Sequence, residues 1–125
     1  IALATAKPEH YAKDILDHFE LTPYFDVIVG ANYESGLLHK KEILEKALEL
    51  CGNPLTDENG NRMAFMVGDR KYDVEAANEL GCISVGVTYG YGTEAELKEA
   101  DAEYLCDDVD EIADVLDLEA LMVRR

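Results

Sequence analysis

Two acidic residues follow a run of apolar residues near the middle of the chain. Residues 64–67 are apolar and lead directly into Gly68-Asp69, and a second carboxylate, Asp73, comes four positions later. A continuous apolar run is typical of a strand buried on both faces of a parallel sheet. Such sheets place their chemistry at the carboxyl ends of the strands, where two carboxylates can hold a hard cation such as Mg²⁺. The local sequence also permits a plainer interpretation, in which the acidic residues only cap a helix.

A hydroxyl and an ammonium group occupy comparable positions elsewhere in the chain. Thr5 follows the apolar residues 1–4, and Lys40 begins a predicted helix. The Thr5 hydroxyl and the backbone N–H groups behind it can donate to phosphate oxygens at a helix start, and Lys40 can offset a phosphate's charge. The alternatives are an ordinary hydroxyl at a helix start and an exposed surface lysine, like Lys41 beside it. With the two carboxylates, these groups describe a phosphate-and-metal site.

Alternating strands and helices must position these groups. The predicted strands are residues 1–4, 26–30, 64–67, 82–87 and 102–106. The predicted helices follow at 8–19, 40–51, 72–80, 93–100 and from Asp107-Asp108 onward. This alternation indicates an α/β fold, a Rossmann-like three-layer arrangement with helices on both faces of a parallel sheet.

Two helices carry further local patterns. The first has apolar residues at helical spacing that predict one buried face: Tyr11, Ala12, Ile15, Leu16 and Phe19. In the fourth, Thr93 and Glu96 are three positions apart, as in a capping box.

The composition excludes several classes of protein. The chain has 125 residues, 48% of them hydrophobic, and a formal net charge of −16, which suits one acidic globular domain. Nucleic acids and anionic membranes need clustered Lys and Arg, so we expect neither as a partner. Local donors can still bind a small phosphorylated substrate.

The cysteines favour a reducing compartment. Cys51, Cys82 and Cys106 are odd in number, widely separated and without a CxxC pair. Neither a disulfide framework nor a zinc site is expected from this spacing, so we predict reduced thiols in a cytoplasmic protein.

The chain resembles the core of the haloacid-dehalogenase-like (HAD) phosphohydrolases, particularly the phosphoglycolate-phosphatase-like branch, over nearly its whole length. The resemblance rests on Leu-Ala-Thr-Ala-Lys-Pro at 3–8, Lys40 with Ile43, Val-Gly-Asp-Arg-Lys-Tyr-Asp at 67–73, and Gly-Val-Thr-Tyr-Gly-Tyr-Gly at 86–92. The Gly-Asp-Arg-x-x-Asp element is specific when the other motifs precede it in order, as they do here. The spacing favours Lys40 over Lys41 as the family lysine.

The resemblance implies a Mg²⁺-dependent phosphatase of small phosphorylated metabolites such as phosphoglycolate or a nucleoside monophosphate. Its catalytic residues would be Thr5, Lys40, Asp69 and Asp73. Phosphate would be bound by Thr5, Ala6 and Lys40, and the metal by Asp69 and Asp73.

The chain departs from the family in one important respect. The Asp-x-Asp-Gly-Thr motif, whose first Asp is the family's nucleophile, does not occur in it, and neither does the cap domain that usually follows. We therefore expect residues 1–125 to form a partial core domain, inactive alone. In the family the nucleophile strand lies between those matching 1–4 and 64–67. Two unpaired strand edges would then recruit the missing N-terminal segment or a strand-swapped second copy.

Other interpretations remain open at this point. A non-catalytic HAD-like binding or regulatory module would keep the phosphate pocket without the nucleophile. A dehalogenase would not need the Asp69/Asp73 pair. A receiver domain would carry an acidic pair after its first strand, where this chain has Ile-Ala-Leu-Ala-Thr.

Overall fold

Strands and helices alternate along the chain, as the sequence predicts. The computed structural model describes residues 1–123, and side chains within the last helix as far as Asp117. Over these residues the elements are β1 (Ala2–Pro8), α1 (Glu9–His18), a 3₁₀ helix (Thr22–Tyr24), β2 (Val27–Ala31), α2 (Lys40–Leu50), β3 (Phe65–Gly68), α3 (Lys71–Leu80), β4 (Ile83–Val87), α4 (Glu94–Glu99), β5 (Tyr104–Cys106) and α5 (Val109–Val123). The chain divides into two compact units, Ile1–Pro54 and Leu55–Arg125.

The first unit is a two-stranded parallel sheet covered by two helices. β1 pairs with β2, and alternate residues of β2 point to opposite faces. Val29 packs with Ile43 and Ala47 of α2. Gly30 faces α1 so closely that a Cβ there would lie 2.5 Å from the Glu9 Cα. Each face of this sheet is therefore covered by one helix.

The second unit is a three-stranded parallel sheet in the order β3-β4-β5. All five residues of the central strand β4 are buried. On one face Val85 and Val87 pack with Ile112 and Val115 of α5. On the other, the Ser84 hydroxyl donates to Oδ1 of Asn78 in α3, at 2.9 Å. The expected α/β architecture, parallel strands with helices on both sides, is confirmed.

The predicted end of the first strand is wrong. β1 continues through Pro8, and α1 begins only at Glu9. The register between β1 and β2 shifts between Ala4 and Pro8, so Thr5 lies in an irregular part of the strand and not at a helix start. Pro8 has φ −53° and ψ 135°, an extended conformation in which its missing N–H is tolerated at a strand end.

The predicted burial of the third strand is also wrong in part. Val67 is 41% exposed. β3 is an edge strand of the described three-stranded sheet, so one side of it is less covered than the central strand. The fully buried strand is β4, which is also predicted from its apolar sequence.

The apolar face predicted for α1 is only partly buried. Ala12 and Leu16 are buried, whereas Tyr11, Ile15 and Phe19 are 58%, 44% and 64% exposed. A two-stranded sheet is narrow, since neighbouring strands are only about 4.8 Å apart. It covers a stripe of the helix and leaves the flanking side chains in solvent.

The three cysteines are free thiols, with Cys51 exposed and Cys82 and Cys106 buried. Burial raises the pKa of both the Cys82 and the Cys106 thiols. In the described part of the chain, no helix combines the length and apolar character needed to cross a bilayer.

The burial of α2 yields a test of the first unit. Ile43 is fully buried, so Ile43→Ala should lower the free energy of unfolding by about 2–5 kcal/mol, through lost contacts and a residual cavity. Ile15→Ala is the matched control, because Ile15 is 44% exposed and should cost about 0.5 kcal/mol or less. Urea unfolding followed by circular dichroism measures both. Equal losses would contradict the packing described for α2.

Candidate active site

The lysine at the start of α2 lies against the first strand. Lys40 is half-buried, and its Nζ donates to the backbone oxygen of Ala4 at 3.3 Å. Thr5 is the next residue of β1, and its Oγ1 accepts the N–H of Lys7 at 3.2 Å. A hydroxyl that accepts one hydrogen bond still has a proton to donate. The first unit therefore brings an ammonium group next to the strand segment that carries the Thr5 hydroxyl.

A tight loop between β2 and α2 places Lys40 there. Asn32 and Leu37 exchange backbone hydrogen bonds of 2.8 and 2.9 Å, which close the loop. The Asn32 Oδ1 also accepts the N–H groups of Glu34 and Ser35, at 3.0 and 3.1 Å. Gly36 supplies the left-handed conformation that the turn needs, with φ +77°. The loop therefore stays close to the end of β2 and brings the start of α2 back to the sheet.

In the second unit, Asp69 follows β3 and is held from a loop far along the sequence. One oxygen of its carboxylate, Oδ2, accepts the N–H of Tyr91 at 2.9 Å, and its backbone oxygen accepts the N–H of Gly92 at 3.0 Å. A Cβ on Gly90 would lie 2.3 Å from the Asp69 Cβ, and one on Gly92 would lie 2.1 Å from the Asp69 backbone oxygen. Two glycines are therefore required for this close approach.

Asp73 is buried at the third position of α3. It is 6% exposed, and its Oδ2 accepts the N–H of Arg70 at 3.3 Å. A Cβ on Gly68 would lie 2.3 Å from this same oxygen, so the carboxylate packs against the end of β3. Asp73 thus satisfies a backbone donor at the helix start, as the plainer interpretation expects, and it lies in the same turn as Asp69.

The donors of this turn fit a magnesium ion. Mg²⁺ binds through oxygen, and in proteins it commonly uses one or two carboxylates and completes its shell with water and substrate phosphate. Asp69 and Asp73 supply two carboxylates, and glycines at 68 and 90 make room for them. Among the described residues no group of three or more His, Cys, Asp and Glu is arranged around a common metal position. With these two carboxylates, a Mg²⁺ ion would need water and substrate phosphate to complete its shell.

The structure also reveals a residue whose contact with this turn the sequence does not suggest. The expected cap of α4 is present in one half, because Thr93 Oγ1 accepts the N–H of Glu96 at 3.1 Å. The Glu96 carboxylate, however, is directed to Arg70 Nε at 3.0 Å and to the N–H of Lys71 at 3.1 Å. The capping pattern gave Glu96 a sufficient local explanation, and nothing in the sequence links it to residues 25 and 26 positions earlier.

This contact shifts the titration of both partners. The hydrogen bond and the charge of Arg70 hold the pKa of the Glu96 carboxyl below its usual range. In turn, Glu96 raises the pKa of Arg70 above its already high value. Both groups are therefore charged near neutral pH.

The predicted site residues thus form two sets. Thr5 and Lys40 belong to the first unit, and Asp69 and Asp73 to the second. Each set lies within one unit.

The chain belongs to the HAD-hydrolase-like family, whose model matches residues 39–112. This range includes Lys40 and the turn that carries both aspartates. The family resemblance expected from the motifs is confirmed.

Individual relatives are consistent with this assignment. The chain is 32% identical to a 5′-nucleotidase from Pseudomonas aeruginosa over 92% of its own length and 49% of that protein. It is 29% identical to a phosphoglycolate phosphatase from Vibrio cholerae, with 93% and 49% covered. A crystal structure of a predicted phosphatase from Clostridium acetobutylicum superposes with a TM-score of 0.79 at 37% identity, covering 99% of this chain and 52% of that one. The chain therefore spans about half the length of these relatives.

The contact between Gly90 and Asp69 can be tested without any ligand. Gly90→Ala should push the Asp69 carboxylate away from the N–H of Tyr91, because the added Cβ has no space. A hydrogen bond to a charged group contributes about 1.5–3 kcal/mol, so amide exchange at Tyr91 should speed up at least about tenfold. NMR-detected hydrogen exchange measures this rate.

Tyr91→Ala is the control for that variant. Tyr91 is 94% exposed, and its hydrogen bond to Asp69 comes from its backbone N–H. Residue 91 should keep its slow exchange in this variant. Equal protection in Gly90→Ala and the wild-type chain would show that the loop does not hold Asp69 as described.

Proposed function

We propose that this chain supplies the phosphate-binding and metal-binding part of a Mg²⁺-dependent phosphatase for small phosphorylated metabolites. The observation that carries the proposal is the turn after β3, where Asp69 and Asp73 are held in place by backbone donors and accommodated by glycines. The names of the relatives support the substrate class, since one is a 5′-nucleotidase and another a phosphoglycolate phosphatase. Phosphoglycolate and nucleoside monophosphates are therefore the first substrates to test.

Each site residue has a role in this proposal. Asp69 and Asp73 would hold Mg²⁺, which when bound would draw negative charge from the phosphoryl oxygens. The Thr5 hydroxyl and the N–H of Ala6 would donate to phosphate oxygens. Lys40 would offset negative charge on a phosphate group.

The nucleophile would have to come from outside these 125 residues. They contain no Asp-x-Asp-Gly-Thr motif, and the family resemblance implies a carboxylate nucleophile from that motif. We propose that the other half of the whole protein provides it, together with a cap that selects the substrate. A strand from that half, or from a second copy of this chain, would pair with β1 or β3. The three free cysteines support a cytoplasmic location.

A non-catalytic module that keeps the phosphate and metal groups is the second candidate. Such a module would bind phosphate and metal as proposed above. It would differ by giving no phosphatase activity when joined to the matching N-terminal half of a relative, such as the Pseudomonas aeruginosa 5′-nucleotidase.

The metal part of the proposal predicts the effect of a single carboxylate. Asp69→Asn should weaken Mn²⁺ binding more than about 100-fold, because losing an outer partner of a ligand alone typically costs 10–100-fold. Electron paramagnetic resonance measures free Mn²⁺ directly. Asp14→Asn is the control, since it makes the same change of charge at an exposed position of α1.

A turnover assay tests the proposal that the nucleophile comes from outside these residues. We expect the chain alone not to hydrolyse p-nitrophenyl phosphate in the presence of Mg²⁺. Robust hydrolysis that Asp69→Asn abolishes would mean that a carboxylate within these residues acts as the nucleophile.

The choice between neighbouring lysines can be tested with inorganic phosphate. Lys40→Met should weaken phosphate binding about tenfold or more, because a charged hydrogen-bond donor is lost. Lys41→Met is the matched control, as Lys41 is an exposed residue of the same helix turn. Phosphorus NMR titration measures both affinities. A larger loss in Lys41→Met would reverse the assignment.

A further inference from the structure

Glu96 connects α4 to the turn that carries the two aspartates. Its Oε2 accepts from Arg70 Nε at 3.0 Å and from the N–H of Lys71 at 3.1 Å, while its Oε1 accepts from Arg70 Nη2 at 3.3 Å. One carboxylate thus receives three hydrogen bonds from two consecutive residues. It fixes both the backbone of the turn and the direction of the Arg70 side chain.

The start of α3 needs such an acceptor. The first N–H groups of a helix have no partner within it, and a polar side chain at the preceding position usually accepts from one of them. Arg70 occupies that position, and a guanidinium has no acceptor atom. Asp73 accepts the N–H of Arg70, and Glu96 accepts the N–H of Lys71. A residue of another helix therefore completes the cap of α3.

The loop before α4 is packed against the same turn. Gly92 donates to the backbone oxygen of Asp69 at 3.0 Å, and a Cβ on Gly92 would lie 2.6 Å from Glu96 Oε2. Thr93 caps α4 and so fixes the position of Glu96. The segment from Tyr91 to Glu96 thus forms hydrogen bonds with the turn at three points: the carboxylate of Asp69, the backbone oxygen of Asp69 and the N–H of Lys71.

The Arg70 guanidinium places a positive charge close to Asp69. Arg70 follows Asp69 directly and interacts electrostatically with its carboxylate. A guanidinium that turned toward Asp69 would compete with a cation for the same oxygens. The guanidinium instead donates two hydrogen bonds to Glu96, which hold it against α4.

We propose that Glu96 is a positioning residue, which holds the Asp69–Lys71 backbone and keeps Arg70 away from Asp69 so that the carboxylates can take a divalent cation. This inference rests on the proposed function for its metal. It assigns to α4 a share in a site whose two proposed carboxylate ligands lie just after β3 and in the first turn of α3.

The test compares Glu96→Gln with Glu99→Gln in the full chain. Glu99 is an exposed residue of the same helix, so its variant makes the same change of charge. In the metal-free chain, Glu96→Gln should speed amide exchange at Lys71 about tenfold, since one charged hydrogen bond is weakened. Its Mn²⁺ affinity should fall by about 10-fold or more, the usual effect of losing an outer partner. Glu99→Gln should leave both quantities unchanged.

A double variant separates competition by the Arg70 charge from a structural effect of the Glu96→Gln substitution. If the freed Arg70 competes for Asp69, Arg70→Met in the Glu96→Gln background should recover Mn²⁺ affinity to within about threefold of the wild-type value. A merely structural role would leave the double variant as weak as Glu96→Gln, and that result would overturn the charge argument.

The remaining outcomes are decisive as well. If the wild-type chain binds Mn²⁺ and Glu96→Gln binds it equally well, the positioning role is wrong while the proposed function stands. If the wild-type chain binds no Mn²⁺, the proposed metal site fails and the positioning role falls with it. The exchange rate at Lys71 then still shows whether Glu96 anchors the turn.

Discussion

The close packing of the loop at residues 90–92 against Asp69 is the constraint on which the second unit depends. Neither Gly90 nor Gly92 can carry a Cβ, because it would lie within 2.3 Å of Asp69 atoms. The same approach lets backbone N–H groups reach both the carboxylate and the backbone oxygen of Asp69. The turn after β3 is therefore shaped by a segment that follows the next strand along the chain, and not only by its own sequence.

This constraint explains why much of the fold was predictable and part of the site was not. Alternating apolar segments predict each β-strand and α-helix of the described residues, because burial on both sides of a parallel sheet leaves a strong pattern. The 3₁₀ helix Thr22–Tyr24 is not predicted. The sequence-based predictions are wrong where the conformation or burial of a residue depends on a neighbouring element of the fold. Pro8 fits a strand end as well as a helix start, and the exposure of Ile15 depends on the narrow sheet beneath α1. The Val67 exposure likewise follows from the place of β3 at a described sheet edge.

The site shows the same division. Asp69 and Asp73 are predicted from the sequence because a strand end followed by acidic residues is a local pattern. Glu96 was not linked to them, because its contacts span more than 20 positions and its capping pattern already explained it. Asp73 illustrates that the plain and the functional interpretation are compatible: it accepts a backbone N–H and lies in the turn proposed to bind metal. Family membership places the chain among HAD-like hydrolases, while the proposed roles of single residues rest on the geometry of each unit.

The most direct test of this account is an NMR titration of the isotope-labelled chain with Mg²⁺ and then with inorganic phosphate. Mg²⁺ should shift the backbone amides of residues 68–73 and 90–92. Phosphate should then shift the amides of Ala6 and its neighbours in β1. Shifts confined to other acidic segments, such as the loop around Asp57 or the first turn of α5, would contradict the proposed metal and phosphate site.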